Sequence, residues 1–118
     1  MPVASAHEKI HAAATSWPEV TAHQHRFGGT EYRLRKRELG HIHCDALVDI
    51  PFPKKVRDEV VAAGRAEAHH ILPESGWVSC YLNAPAGVET AIALLRKSYE
   101  LALEQRTRDT HATTRASQ

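Results

Sequence analysis

The chain has 118 residues, 42% of them hydrophobic and 25% charged, which suits one soluble domain with a single core and argues against a disordered or fibrous protein. Fifteen Lys and Arg stand against fourteen Asp and Glu, a formal charge of +1, so no whole-chain field favours nucleic acid or an anionic membrane. No apolar run approaches the roughly 20 residues of a membrane helix, and the N-terminus MPVASAHEKI lacks a signal core, so a cytoplasmic protein with no membrane partner is expected. Cys44 and Cys80 form no CxxC pair, which speaks against a disulfide scaffold or a thiolate zinc knuckle, and each is expected to be a small buried residue.

In chain order, Ala4 to Ala14 is helix-friendly and is stopped by Ser16 and Pro18. The glycine pair Gly28 and Gly29 leads into a strand over TEYRLR, where Tyr32 and Leu34 alternate with charged residues. Lys36 to Glu38 turns the chain, Leu39 to Cys44 returns it, and LVDIPF (Leu47 to Phe52) reads as a third strand. Pro53 opens a helix that runs to about Ala63, with Val56 and Val60 inward and Gly64 as its stop. Two short strands follow, near Ala68 to Leu72 and Trp77 to Leu82, joined by a turn around Ser75 and Gly76. Val88, Ala91, Ile92, Leu95, Tyr99 and Ala102 recur at helical spacing from Gly87 onward. The expected fold is therefore α+β, in the order α-β-β-β-α-β-β-α, with an antiparallel sheet and helices on one face. A single domain over residues 1–104 is followed by a polar tail, 105–118, expected to lack fixed structure.

Nine histidines are several times the usual share. His41 and His43 are two apart on a β-prone segment, so their side chains share one face. If the helices cover Tyr32, Leu34, Ile42, Val48, Ile50, Val78, Cys80 and Leu82, the other face holds Arg33, Arg35, His41, His43, Asp49, Trp77, Ser79, Tyr81 and His70. Cations, imidazoles, a carboxylate and large aromatics on one open face suit binding better than a bare solvent surface. The sharpest version is a divalent metal held by His41, His43 and His70, with His69 or Asp49 as another source of the third ligand. A second version is acid–base chemistry, with Asp49 or Glu38 orienting an imidazole. No nucleophile motif accompanies it, since Cys44 and His43 are strand neighbours that point apart. Arg33, Arg35, Lys36 and Arg37 could grip phosphates, but Glu31 and Glu38 flank them and no nucleic-acid signature is present.

The blocks His25-Arg26-Phe27-Gly28-Gly29, Arg37-Glu38, Gly40-His41-Ile42-His43, Asp49 to Pro53, Gly64 to His70, Ser75-Gly76-Trp77 and Ser98-Tyr99 carry a family resemblance. From about Trp17 to Leu103 the chain resembles the luciferase-domain family of small bacterial proteins, a group of unknown function despite its name. The resemblance implies a two-layer fold like that of the MmcQ/YjbR-like proteins and type III secretion chaperones, and it implies no established chemistry. Flavin-dependent luciferases are α/β barrels of about 250 residues, which this chain is too short to form. The family pattern often has glycine after the HxH, where this chain has Cys44.

The first functional reading is a small-ligand- or metal-binding domain, with Arg26, His41, His43, Asp49, His70 and Trp77 as binding residues. An interaction module or homodimer built on the exposed sheet face around Trp77 is the alternative. Nucleic-acid binding through Arg33 to Arg37 comes third.

Overall fold

The computed structural model describes residues 5–25, 28–69 and 74–116, with side chains described as far as residue 106. The elements are α1 (Ala6–Ser16), β1 (Val20–Gln24), β2 (Thr30–Leu34), β3 (Arg37–His43), β4 (Leu47–Pro51), α2 (Lys54–Ala62), β5 (Glu67–Ala68), β6 (Trp77–Tyr81) and α3 (Pro85–Ala116). The strands form one sheet in the order β1-β2-β3-β4-β6-β5, and every pairing is antiparallel. All three helices contribute to one apolar cluster with the sheet residues Tyr32, Ile42, Val48, Ile50, Val78 and Cys80. The other face of the sheet is left to polar and aromatic side chains, as the period-2 pattern of the strands requires.

A smaller cluster of Leu34, Leu39, Tyr99 and Ala102 extends the core towards the β2–β3 turn. There the Tyr99 hydroxyl donates to the Pro18 carbonyl at 3.0 Å, and the Arg96 guanidinium lies over the rings of Tyr99 and Trp17. The N-terminus of α1 is tied to the opposite end of the fold. The Asp45 carboxylate, on the β3–β4 turn, accepts the His7 backbone N–H at 2.7 Å, a cap supplied from 38 residues away.

A β-bulge in β3 decides what reaches the open face. Tyr32 pairs with Gly40, but the next residue, Arg33, pairs with Glu38, so Leu39 is the extra residue. Leu39 is fully buried, and its carbonyl accepts the Ser98 hydroxyl at 2.9 Å. With strict alternation Glu38 would point the same way as Gly40 and Ile42, towards the helices. The bulge turns it to the side of His41. Gly40 itself lies where α3 presses on the sheet: a Cβ there would come within 2.7 Å of Leu95 Cδ2 and 2.9 Å of the Asp49 carbonyl.

Most of the expected elements are present, with differences that have physical causes. β1 is additional to the expected elements: VTAHQ is an edge strand with four of its five residues exposed and so shows no buried alternation. The strand expected at Ala68 to Leu72 is the two-residue β5, and residues 70–73 lie outside the described ones. α3 runs past Glu104 into the polar stretch expected to lack structure, where helix-compatible Gln105 and Arg106 continue it and Arg106 meets Glu19 at 2.8 Å. Cys80 is buried as expected, but Cys44 is not: it sits exposed on the β3–β4 turn with φ 51°, outside β3.

Candidate metal centre

A single transverse row of residues crosses all six strands: His23, Glu31, His41, Asp49, Ser79 and Glu67 are successive partners from β1 to β5. Imidazoles and carboxylates gather around the middle of this row. Asp49 is 1% exposed, the most deeply buried carboxylate on the described chain. A buried carboxylate is costly unless both its oxygens find partners. Oδ1 accepts the Ser79 hydroxyl at 2.6 Å. Oδ2 faces three imidazoles at once, with His43 Nε2 at 3.1 Å, His41 Nε2 at 3.3 Å and His69 Nε2 at 3.5 Å.

His41 is clamped from both sides. Its Nε2 faces Asp49, and its Nδ1 is 2.6 Å from Glu38 Oε2, the carboxylate that the bulge delivers. Burial opposes a charge on this ring, but the hydrogen bonds to Asp49 and Glu38, reinforced by their charges, outweigh it and push its pKa up to about 9. Burial likewise opposes the Asp49 charge. The hydrogen bonds from His41 and Ser79, with the nearby His69 and His41 charges, hold it down at about 2. The centre is thus an ion pair between a carboxylate and an imidazolium at neutral pH.

Rings enclose this pair. His25 stacks on His41 with centroids 4.1 Å apart, His43 meets His41 edge-on at 4.8 Å, and Trp77 leans on His41 at 5.4 Å and on His69 at 6.3 Å. Burial and the His41 charge lower the pKa of His25. His43 is the most open of these imidazoles on the Asp49 carboxylate, so the centre is reached from its side.

Two overlapping sets of donors could each hold a metal ion. One ligand atom from each of His41, His43 and Asp49 lies within 4.8 Å of the others, and the same holds for His25, Glu38 and His41. Of the residues expected at the site, His41, His43, Asp49 and Trp77 come together. Arg26 and His70 lie outside the described residues. His69, weighed as a source of the third ligand, is the described histidine of its pair and faces Asp49. Two contributors went unassigned in the sequence. Ser79 was legible as a face residue but not as the Asp49 partner, which needs the β4–β6 register, and His25 stood in a recognisable block without a role until β1 brought it over His41. Arg33, on the same face, is paired with Glu31, and Arg35 with Glu19.

Fold and cluster together define a small two-layer α+β protein that carries a histidine–carboxylate centre on its open sheet face. The chain belongs to the luciferase-domain family: the family model described as Luciferase domain matches residues 36–98, just over half of the chain. The matched stretch begins at the β2–β3 turn and ends at Ser98, so it contains Glu38, His41, His43, Asp49, His69, Trp77 and Ser79, while His25 precedes it. No curated protein and no solved structure matches the chain. Among the described residues, no helix is long and apolar enough to cross a membrane.

Proposed function

We propose that this protein binds a divalent transition metal through His41, His43 and Asp49, with His69 facing the same carboxylate oxygen, and uses it to hold a small ligand against Trp77. The observation that carries the reading is the convergence of three Nε2 atoms on one carboxylate oxygen. In a tetrahedron with metal–ligand bonds of about 2.0–2.1 Å, the donors stand about 3.3 Å from one another. The separations from Asp49 Oδ2 are 3.1, 3.3 and 3.5 Å. Imidazoles with one carboxylate suit zinc, iron, cobalt or nickel better than magnesium or calcium, which prefer all-oxygen sets.

The surroundings match what such a centre needs. With a single ion at Nε2, Glu38 on His41 Nδ1 has the role of the carboxylate that orients a metal-bound histidine and raises its basicity, and Ser79 fixes Asp49 so that Oδ2 faces the donors. With three protein donors a four-coordinate ion keeps one position open. An open position supplies Lewis acidity to a bound oxygen.

The interaction-module reading has less support. Trp77 is half-buried against His41 and His69, and Tyr81, at 38% exposure, is the one exposed large hydrophobic residue among those described. Metal analysis of untagged protein purified without chelator, set beside a His41→Ala/His43→Ala variant, tests the proposal. Stoichiometric metal in the wild type, lost in a folded variant, is expected. Metal-free wild type that also fails to take up added zinc would sink the reading.

A further inference from the structure

The donors around His41 lie at both ends of its ring. Nε2 faces Asp49, with His43 and His69 at the same carboxylate oxygen. Nδ1 faces Glu38 at 2.6 Å, and His25 completes a second set of donor atoms within 4.8 Å of one another. Glu31 Oε1 lies 3.9 Å from His25 Nε2, so a fourth donor borders that set. One imidazole between two clusters, each with its own histidine and carboxylate, has the connectivity of a bridge.

Building on the metal centre proposed above, we infer that the site takes two divalent ions, one on each side of His41, with the His41 ring as a bridging imidazolate between them. The Nε2 ion is held by His41, His43 and Asp49, and the Nδ1 ion by His41, His25 and Glu38. Each ion replaces the proton that its nitrogen carried in the metal-free protein, and both protons pass to solvent. Charge comes close to balance. Two ions bring four positive charges, and the imidazolate, Asp49 and Glu38 offset three. Glu31 stands next to His25 to offset the fourth, shared with its partner Arg33. Bonds of about 2 Å at either end of one ring put the ions about 6 Å apart. That is wider than the roughly 3.5–4 Å of two-metal sites that share a water, so each ion keeps its own exchangeable position.

The bridge makes one structural demand. His25 and His41 are stacked with only 27° between their planes, and an ion must lie close to the plane of each imidazole that binds it. His25 therefore turns off the stack when the second ion enters. Its ring protons, shielded by His41 in the metal-free protein, lose that shielding.

The test uses the full chain, stripped with chelator and titrated with Zn²⁺ and, separately, Cu²⁺, and counts ions by native mass spectrometry. A His7→Ala/His11→Ala background removes the stacked pair on α1 as an incidental site. Two ions per chain are expected, falling to one in Glu38→Gln and in His25→Ala. The two-copper form should show a coupled, weakened EPR signal, and the Glu38→Gln form an isolated single-copper spectrum. A wild type that binds one ion overturns the bridge and leaves the single metal centre standing. A wild type that binds none overturns both. Two ions in wild type and in both variants would place the second ion elsewhere and also overturn the bridge.

Discussion

The Ser79 hydroxyl donates a 2.6 Å hydrogen bond to Asp49 Oδ1 and thereby sorts the two carboxylate oxygens, one for the protein's own scaffold and one for the imidazoles. Ser79→Ala leaves a buried oxygen without this donor at almost unchanged volume. A loss of about 1–3 kcal/mol in urea denaturation is expected. Metal affinity should fall about 10–100-fold by calorimetry, the usual effect of removing an orienting partner. An affinity equal to wild type would mean that the Asp49 orientation does not depend on Ser79.

Stability of the metal-free protein should have a plateau bounded on both sides. The folded-state pKa of His41, about 9, lies above its ordinary 6.5, so its contribution is complete below about pH 6.5 and is lost as pH rises through 9. Asp49, at about 2, lies below its ordinary 3.8, so its contribution is complete above about pH 3.8 and is lost as pH falls through 2. Thermal melts in the presence of chelator should therefore be highest between about pH 4 and 6.5 as far as this pair governs them. Glu38→Gln should flatten the alkaline limb, because it removes one of the two carboxylates that keep His41 charged. An unchanged limb would show that Asp49 alone sustains the shift.

Metal affinity should follow the opposite pH trend. An ion competes with the proton on His41, so binding releases protons and tightens as pH rises towards 9. Zinc titrations in buffers of different ionisation enthalpy should give heats that scale with that enthalpy. Identical heats would mean that the His41 proton is not displaced.

Gly40→Ala tests how closely α3 sits on the sheet. The new methyl meets Leu95 Cδ2 at 2.7 Å and the Asp49 carbonyl at 2.9 Å, and the second contact is backbone that cannot rotate away. A loss of about 1–3 kcal/mol is expected from overpacking. Combining it with Leu95→Ala should relieve only the side-chain part.

Asp45→Ala removes the carboxylate that accepts the His7 N–H at the start of α1. A loss of about 1 kcal/mol is expected, in the range of an ordinary helix cap, with metal binding unaffected. Chemical denaturation and a zinc titration of the same sample check both parts.

The faces of the sheet were legible because Tyr32, Leu34, Ile42, Val48, Ile50 and Val78 alternate with polar residues, and all six are buried. The pairing of His41 with His43 followed from the same alternation. The clamp on His41 was less accessible to it. Glu38 is three residues away, and alternation assigns it to the opposite face; only the extra residue Leu39 reverses that, and a bulge leaves no periodic trace in a single sequence. The approach of His25, Ser79 and His69 depends on strand order. β6 lies between β4 and β5, and that neighbour relation is a property of the whole sheet, carried by no local residue pattern.

The two tryptophans occupy opposite roles, and this gives the protein an internal optical reporter. Trp17 lies against Tyr99 and Arg96, while Trp77 lies against both His41 and His69. A protonated imidazole beside an indole quenches its fluorescence, and a coordinated one changes that quenching. With Trp17→Phe as the silent background, the emission of a single native residue would follow proton and ion occupancy of the centre in real time, with no label attached.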